Sequence, residues 1–231
     1  MLYDLGEWDE LLERGSRQTE RLDQPGLKVL AYVAQVLAWR QQLADARNLC
    51  TRLLPRSRLV ADLEVLVPAL PVAALIAHMK DEPEVALSLI NELNTVTRHS
   101  SHWRSRHLPT ALRILTNAGE VEKAIYFADG IEVTVTRDRY CVLTGKAILA
   151  EAQGEVEEAR DLYQEAAQRW ADFGFVLEEG QAHLGLARSL LALGKREAAV
   201  APLGKARAIF SRLGAVTLVE ETDSCLHHSR T

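Results

Sequence analysis

The sequence is poor in residues that mark special chemistry: among 231 residues there are 3 cysteines, 13 glycines and 7 prolines, and aromatic residues make up 6%. Cys50, Cys141 and Cys225 are far apart and form no Cys-x-x-Cys pair, so we interpret them as small apolar residues. The chain has no run of 18 apolar residues, and its amino terminus lacks the basic and then apolar order of a secretion signal. We therefore expect a cytoplasmic protein without a membrane partner.

Charge and motifs exclude further classes. The formal net charge of −5 gives no general attraction to phosphate backbones, so a nucleic-acid partner is unlikely unless a local basic patch exists. The segment Thr144-Gly145-Lys146-Ala147 lacks the earlier glycine and the following hydroxyl of a phosphate-binding loop. Neither Gly-x-Ser-x-Gly nor His-Glu-x-x-His occurs. We expect no catalytic site, metal or cofactor, and enough apolar material, 48%, for an ordered domain.

A pattern of a turn residue followed five positions later by a small or apolar residue recurs along the chain. Its clearest copy is 154–171, where acidic residues follow Gly154 and then Ala159, Tyr163 and Ala166 share one helix face. The turn residues, which we call turn markers, are Gly6, Gln41, Asp81, Gly119, Gly154 and Gly194. They are separated by 35, 40, 38, 35 and 40 residues, which is the spacing of a solenoid built from helix pairs.

The other half of each helix pair repeats as well. Five residues after the markers stand Leu11, Ala46, Ala86, Ala124, Ala159 and Ala199; twelve residues before the last five of these stand Ala34, Ala74, Leu112, Ala147 and Ala187. Small residues at such positions let helices cross closely, and the pattern resembles tetratricopeptide repeats. This resemblance implies an all-α fold, a right-handed α-solenoid of antiparallel helix pairs that forms a single array over 1–231. We expect about five pairs and a C-terminal capping helix, with the first repeat incomplete; an irregular helical bundle is the alternative.

The last third of the chain carries a closer resemblance. The runs Leu162–Phe175, Ala182–Gly194 and Pro202–Gly214 are similar to the C-terminal tetratricopeptide arm of large bacterial signalling ATPases. These proteins join such an arm to an ATPase module and to an adenylate or guanylate cyclase domain, or to a LuxR-type DNA-binding domain as in MalT-like regulators. The resemblance implies a sensory or docking arm in signal transduction or transcription regulation, without the catalytic or DNA-binding parts.

Periodicity and breakers predict the helix bounds. We expect helices over 7–23, 27–39, 41–54, 58–66, 82–95, 108–118, 120–136, 140–153, 155–173, 177–193, 195–213 and 215–226. Pro25-Gly26 and Pro55 are predicted to end helices, and Pro68 and Pro71 to lie where a new helix begins. Because the first helix is apolar and has no preceding partner, we expect an open amino-terminal edge that is covered by homodimerisation or by more chain.

The segment Arg98–His107 is compositionally unusual, with three histidines, three arginines and a tryptophan. A zinc site would need His99, His102 and His107 to converge, although their spacing matches no standard ligand pattern. An anion or nucleic-acid site would use the arginines with Trp103 as a stacking plane. The third interpretation is a solvated loop with Trp103 packed under the next helix.

The first helices of the pairs should line a concave surface that binds a protein or peptide partner, such as an ATPase or cyclase module. Its predicted exposed positions are Lys28, Gln35, Trp39, His78, Arg106, Arg113, Asn117, Thr144, Glu151, Gln181 and Arg188. Among these, Arg106, Arg113 and Arg188 are candidates for holding an acidic peptide or a terminal carboxylate. A non-catalytic interaction scaffold is our first hypothesis. A small-ligand sensor that uses the same surface and a nucleic-acid-binding helical repeat are the alternatives.

Overall fold

The computed structural model describes residues 2–17 and 23–230, the last three without their side chains. Within these ranges it contains thirteen helices and no strand. The helices are α1 Trp8–Ser16, α2 Gln24–Trp39, α3 Leu43–Val60, α4 Leu63–Met79, α5 Pro83–Val96, α6 Ser101–Arg106, α7 Leu108–Asn117, α8 Val121–Ala128, α9 Thr136–Gln153, α10 Val156–Phe173, α11 Val176–Ala192, α12 Arg196–Leu213 and α13 Val216–Arg230.

The turn markers lie where the sequence predicts sharp turns between paired helices. All six have a positive φ, including the non-glycine residues Gln41 at 62° and Asp81 at 58°. A left-handed residue ends one helix and redirects the chain into the next, which is why glycine occupies four of the six positions. The small residues that follow the markers are buried at helix crossings, from Ala46 to Ala199. The repeat register deduced from the sequence is therefore confirmed.

The helices form an α-solenoid of antiparallel pairs, as predicted. The pairs are α2 with α3, α4 with α5, α7 with α8, α9 with α10, and α11 with α12, and each packs on the next. Helix α1 is the second helix of an incomplete first pair, and α13 packs on α12 after the last pair. The first helices of the pairs lie on the inner surface of the array.

Prolines caused the main errors in the predicted bounds. Pro55 does not end a helix but lies inside α3, and the separate helix predicted over 58–66 does not exist. Pro68 and Pro71 lie inside α4 and not in a first turn. Helix α4 tolerates them because it is buried on all sides between α2, α3, α5 and α7, so packing compensates for the missing backbone hydrogen bonds. Pro202 lies inside α12, within the range 195–213 predicted for that helix.

The predicted first helix over 7–23 is shorter in the structure, since α1 ends at Ser16; residues 18–22 lie outside the described ranges. Pro25 and Gly26 do not end a helix. They lie in the first turn of α2, where the Asp23 carboxylate accepts a hydrogen bond from the Gly26 amide at 3.0 Å. An aspartate at this capping position, followed by proline, favours a helix start.

The middle of the array departs from the regular repeat. The predicted helix over 120–136 ends at Ala128, and residues 129–135 form an irregular connection. The helix ends before the β-branched residues 133–136 are reached, at a turn in which Gly130 has a positive φ of 66°. The predicted loop over Arg98–His107 instead contains the short helix α6.

The two ends of the array meet, and we call this contact the closure. The Asp4 carbonyl accepts a hydrogen bond from the Val176 amide at 2.9 Å. Arg40 Nε donates to the Leu213 carbonyl at 3.2 Å, and Gln41 Nε2 donates to Thr217 Oγ1 at 3.0 Å. The amino-terminal end therefore contacts the chain's own last repeats through residues 4, 40 and 41, whereas the predicted homodimer through this edge stays a prediction.

Aromatic packing holds the amino-terminal segment in place. Tyr3 stacks on Trp8 with ring centroids 5.6 Å apart, and its hydroxyl accepts a hydrogen bond from Trp39 Nε1 at 3.2 Å. Trp8 Nε1 donates to the Tyr3 carbonyl at 3.0 Å, and the Trp8 side chain is buried. Tyr3 and Trp8 thus belong to the same apolar core as the C-terminal repeats, and Leu2 packs against it.

Candidate functional site

The inner surface encloses a cavity of about 530 Å³, which we call the chamber. The first helix of every pair lines it, namely α2, α4, α7, α9 and α11, and so do α10 and α13. The other outer helices, α3, α5, α8 and α12, contribute no side chain to the lining. Seven of the eleven residues predicted for the concave surface lie on its wall: Trp39, His78, Arg113, Asn117, Glu151, Gln181 and Arg188.

The other four predicted residues lie elsewhere. Gln35 and Arg106 line a smaller cavity of about 60 Å³ behind the chamber, near Tyr3. Lys28 is paired with Glu64 at 2.5 Å on the exposed surface. Thr144 was predicted to be exposed, but it is fully buried and its hydroxyl accepts a hydrogen bond from Trp170 Nε1 at 2.8 Å. Two residues of the chamber wall are also more buried than expected, Trp39 at 8% and Gln181 at 7% exposure.

Tyr163 enters the chamber from α10, an outer helix, because α11 has a glycine at the crossing point. A Cβ atom on Gly185 would lie 2.4 Å from Cζ of Tyr163, closer than any packed carbon pair. The Tyr163 hydroxyl passes this gap and donates to Glu151 Oε2 at 2.6 Å. The sequence places Tyr163 on a helix-packing face, and only the glycine opposite signals that its polar end reaches the inner wall.

The charged groups of the chamber are engaged with one another. Arg113 donates from both terminal nitrogens to Glu178, at 3.2 and 2.8 Å. Arg188 donates to both oxygens of Glu151, at 2.6 and 2.9 Å, and through Nη1 to Glu221 at 2.8 Å. An acidic ligand would have to compete with carboxylates of the chain itself, which weakens the case for the carboxylate-binding role suggested by the sequence.

Burial and these partners determine the protonation states. Burial alone would raise the pKa of Glu151, but the hydrogen bonds and charge of Arg188 outweigh it, and the pKa of this carboxyl lies below its usual range. Burial, together with the Glu151 charge, raises the pKa of Tyr163. Burial lowers the pKa of His78, so this imidazole is neutral at pH 7. Glutamate and arginine are thus charged and paired, whereas tyrosine and histidine are neutral.

The remaining wall of the chamber is apolar. It consists of side chains that sequence reasoning assigned to helix packing and not to a site: Leu75, Met79, Ile114, Ile148, Leu184 and Leu218. An apolar wall with a few convergent polar groups is typical of a binding pocket.

The segment Arg98–His107 does not form a separate site. Trp103 is half-buried against the core, and Arg106 lies over its ring with Cζ 5.4 Å from the centroid. Arg104 donates to the Asp129 carbonyl at 3.1 Å, and His102 Nδ1 lies 3.1 Å from the buried Asp138. Arg104, Arg106 and the stacking plane are therefore used within the chain, which favours the structural interpretation of this segment.

The described residues form neither a cluster of metal ligands nor a helix that could span a membrane. In residues 2–17 and 23–227, no three histidine, cysteine, aspartate or glutamate side chains converge as metal ligands would. No helix in the described part of the chain is both long and apolar enough to cross a bilayer.

Comparison with known proteins identifies the repeats. Residues 138–212 match the sequence profile of the tetratricopeptide repeat family. BtubC (BKLC) from P. vanneervenii is similar in structure, with a TM-score of 0.55 and 14% identity over 88% of this chain and 91% of that chain. A tetratricopeptide repeat protein from Parabacteroides merdae gives a TM-score of 0.53 and 14% identity over 97% and 99%. No curated protein sequence matches the chain. The chain thus contains a tetratricopeptide region, and the structural likeness shows a shared fold alone.

Proposed function

We propose that this chain is a non-catalytic interaction module whose chamber holds a segment of a protein partner. The observation that carries the proposal is the position of the chamber: it lies on the inner surface of a tetratricopeptide array, and repeats of this kind generally mediate protein–protein interaction. Seven residues predicted from the register alone meet there from five different helices, which gives the partner a single convergent site.

The finer role rests on the resemblance of 162–214 to the arms of bacterial signalling ATPases. We propose that the module is a cytoplasmic sensory or docking arm in signal transduction or transcription regulation, and that its partner is an ATPase or cyclase module. A homodimer through the amino-terminal edge would use the face of α1, because residues 4 and 40 beside it already contact the last repeats.

Small-ligand sensing is the second candidate function, and one observation favours it. The chamber volume of about 530 Å³ falls within the range of roughly 300–1,000 Å³ that is typical of small-molecule sites. Residues 2–7 also contact α2, α9 and α11 beside the chamber, so an occupant could change how the ends of the array meet.

A chamber-filling substitution tests the proposal. Ala152 is exposed and lines the chamber, so Ala152→Trp adds bulk there without overpacking the core. Val200, 50% exposed on the outer helix α12, provides the control Val200→Trp. A partner recovered with the wild-type chain, such as an ATPase, is purified and its affinity for both variants is measured. We expect a loss of at least about tenfold, or 1.4 kcal/mol, for Ala152→Trp only; equal affinities for both variants would exclude the chamber.

A further inference from the structure

The first helices of four pairs end at the chamber. Helices α2, α4, α7 and α9 contribute residues of their last turns to its wall: Trp39, Met79, Asn117 and Ala152. We call the edge formed by Met79, Asn117 and Ala152 the carboxyl rim. A helix carries about half a negative elementary charge at its carboxyl end. Two helix starts, at Thr110 of α7 and Thr217 of α13, oppose these four helix ends, so the balance of the helix dipoles favours a cation.

The carboxyl rim also contains hydrogen-bond acceptors without donors. The turn after α7 donates its amides to the carbonyls of residues 114–116, and among the described residues no backbone amide reaches the carbonyl of Asn117. The turns after α4 and α9 leave the carbonyls of Met79 and Ala152 in the same situation. At Met79 the reason is also chemical, because Pro83, four residues later, has no N–H group. A group rich in donors therefore gains hydrogen bonds at this rim.

The ion pairs of the wall leave one negative charge. Glu178 binds Arg113, while Glu151 and Glu221 bind Arg188, so three carboxylates share two guanidinium groups. Glu178 lines the smaller cavity and not the chamber. Glu221 lines the chamber and is 45% exposed, and in the described part of the chain Arg188 alone donates to it. The negative charge that an occupant can reach is therefore that of Glu221.

We propose that the chamber holds an extended segment of the protein partner that carries a lysine or an arginine, with this cation at the carboxyl rim beside Glu221. The inference rests on the proposed function, since it names the chemistry of the segment that the chamber binds. Glu221 is joined through Arg188 to Glu151, the residue before Ala152 of the rim. The apolar wall of the chamber contacts the uncharged side chains of the segment.

The length of the carboxyl rim favours a chain segment over a small amine. The rim runs from α4 through α7 to α9. Neighbouring packed helices lie about 8–10 Å apart, so the rim spans roughly 20 Å. An extended chain covers this distance with about six residues, at roughly 3.3–3.6 Å for each. A single small amine reaches only one part of it.

Three pools of acetylated and amidated hexapeptides test the inference. Each pool carries lysine, glutamine or glutamate at one position, which varies along the peptide, and random mixtures of alanine, serine and leucine at the others. The pools are passed over the immobilised full chain, and the retained peptides are measured by mass spectrometry. The lysine pool should be retained at least about tenfold more than either other pool, because it alone brings a charged donor to Glu221. Equal retention of another pool, or no retention of any pool, overturns the inference.

A matched pair of variants separates the carboxyl rim from the overall charge of the protein. Glu221→Gln and Glu220→Gln each remove one carboxylate from α13, so both change the net charge of −5 equally. Glu220 is exposed and lies outside the chamber lining. Glu221→Gln should lower the preference for lysine about tenfold, whereas Glu220→Gln should preserve it. A preference that both variants keep, or that both lose, overturns the inference.

The contribution of the segment is measured with N-acetyllysinamide, which carries the same cation without the neighbouring residues. Calorimetric titration should show it binding at least about tenfold weaker than the most strongly retained hexapeptide. Equal affinity would mean that a small amine is sufficient, and it overturns the inference. Absence of a lysine preference, while Ala152→Trp still releases a protein partner, overturns the inference and leaves the proposed function intact. A protein partner that tolerates Ala152→Trp overturns the proposed function itself.

Discussion

Replacing Gly185 by alanine should destabilise the protein, although alanine is the better helix former. An alanine Cβ would lie 2.4, 2.5 and 2.7 Å from three carbons of the Tyr163 ring. The ring is held in its place, since Tyr163 is 1% exposed and its hydroxyl donates to Glu151 at 2.6 Å. Helices α10 and α11 must move apart, and the displaced ring gives up that hydrogen bond.

The magnitude follows from three contributions. Overpacking of this kind costs about 2 kcal/mol, and loss of the hydrogen bond to a charged carboxylate costs about 2 kcal/mol. The higher helix propensity of alanine returns about 1 kcal/mol, so the net loss is about 3 kcal/mol. Gly204, also inside a helix, has no atom within 4 Å of its would-be Cβ. Gly204→Ala should therefore stabilise the protein by roughly 0.5–1 kcal/mol.

Urea unfolding followed by far-ultraviolet circular dichroism measures both variants against the wild type, with equal m-values as the requirement for comparison. In a Tyr163→Leu background the cost of Gly185→Ala should shrink, because leucine leaves room for the added methyl group. A Gly185→Ala protein as stable as Gly204→Ala would refute the reasoning. The reasoning would also be refuted if Gly185→Ala lost as much stability in the Tyr163→Leu background as it does in the wild type.

Two further predictions concern the closure and pH. Arg40→Ala combined with Gln41→Ala removes two hydrogen bonds of the closure, worth about 2 kcal/mol together. Small-angle scattering should therefore show a larger radius of gyration for this double variant, whereas the control Arg58→Ala on the outer surface should leave the radius unchanged. Equal radii for the two variants would contradict the role given to the closure. Burial lowers the pKa of His107 to about 3 and that of His183 to about 4, below the value near 6.5 in an unfolded chain, so unfolded molecules take up protons first as the pH falls. The stability that these neutral rings contribute is complete above about pH 6.5 and declines toward pH 4, by at most about 1.4 kcal/mol per pH unit for each ring. Urea titrations across that window should give a shallower decline for His107→Gln, and an unchanged slope would show that His107 is not held neutral.

Local sequence signals predict the repeat register well, but they predict the contacts between distant repeats poorly. The turn markers and crossing alanines are set by backbone geometry and close packing within one helix pair, so residues such as Gly154 and Ala159 reveal them directly. The bounds failed where tertiary packing overrides local preference: Pro68 and Pro71 are tolerated because α4 is buried on every side. The seven predicted chamber residues follow from register alone, but their ion pairs do not. Glu178, the partner of Arg113, is 65 residues away along the chain, and only the curvature of the whole array brings the two together.

The closure changes how this repeat array should lose its structure. In an open solenoid each terminal repeat has one neighbour, so unfolding begins at the ends and spreads inward. Here the hydrogen bond that the Val176 amide donates to Asp4 and the one that Arg40 donates to Leu213 give the first repeats a second neighbour. A linear array of nearest-neighbour interfaces thereby becomes a cyclic one, in which the first interface to break leaves every repeat still attached on one side. The repeats of such a cycle should therefore unfold together on heating or in denaturant, and unfolding should not begin at one weak end.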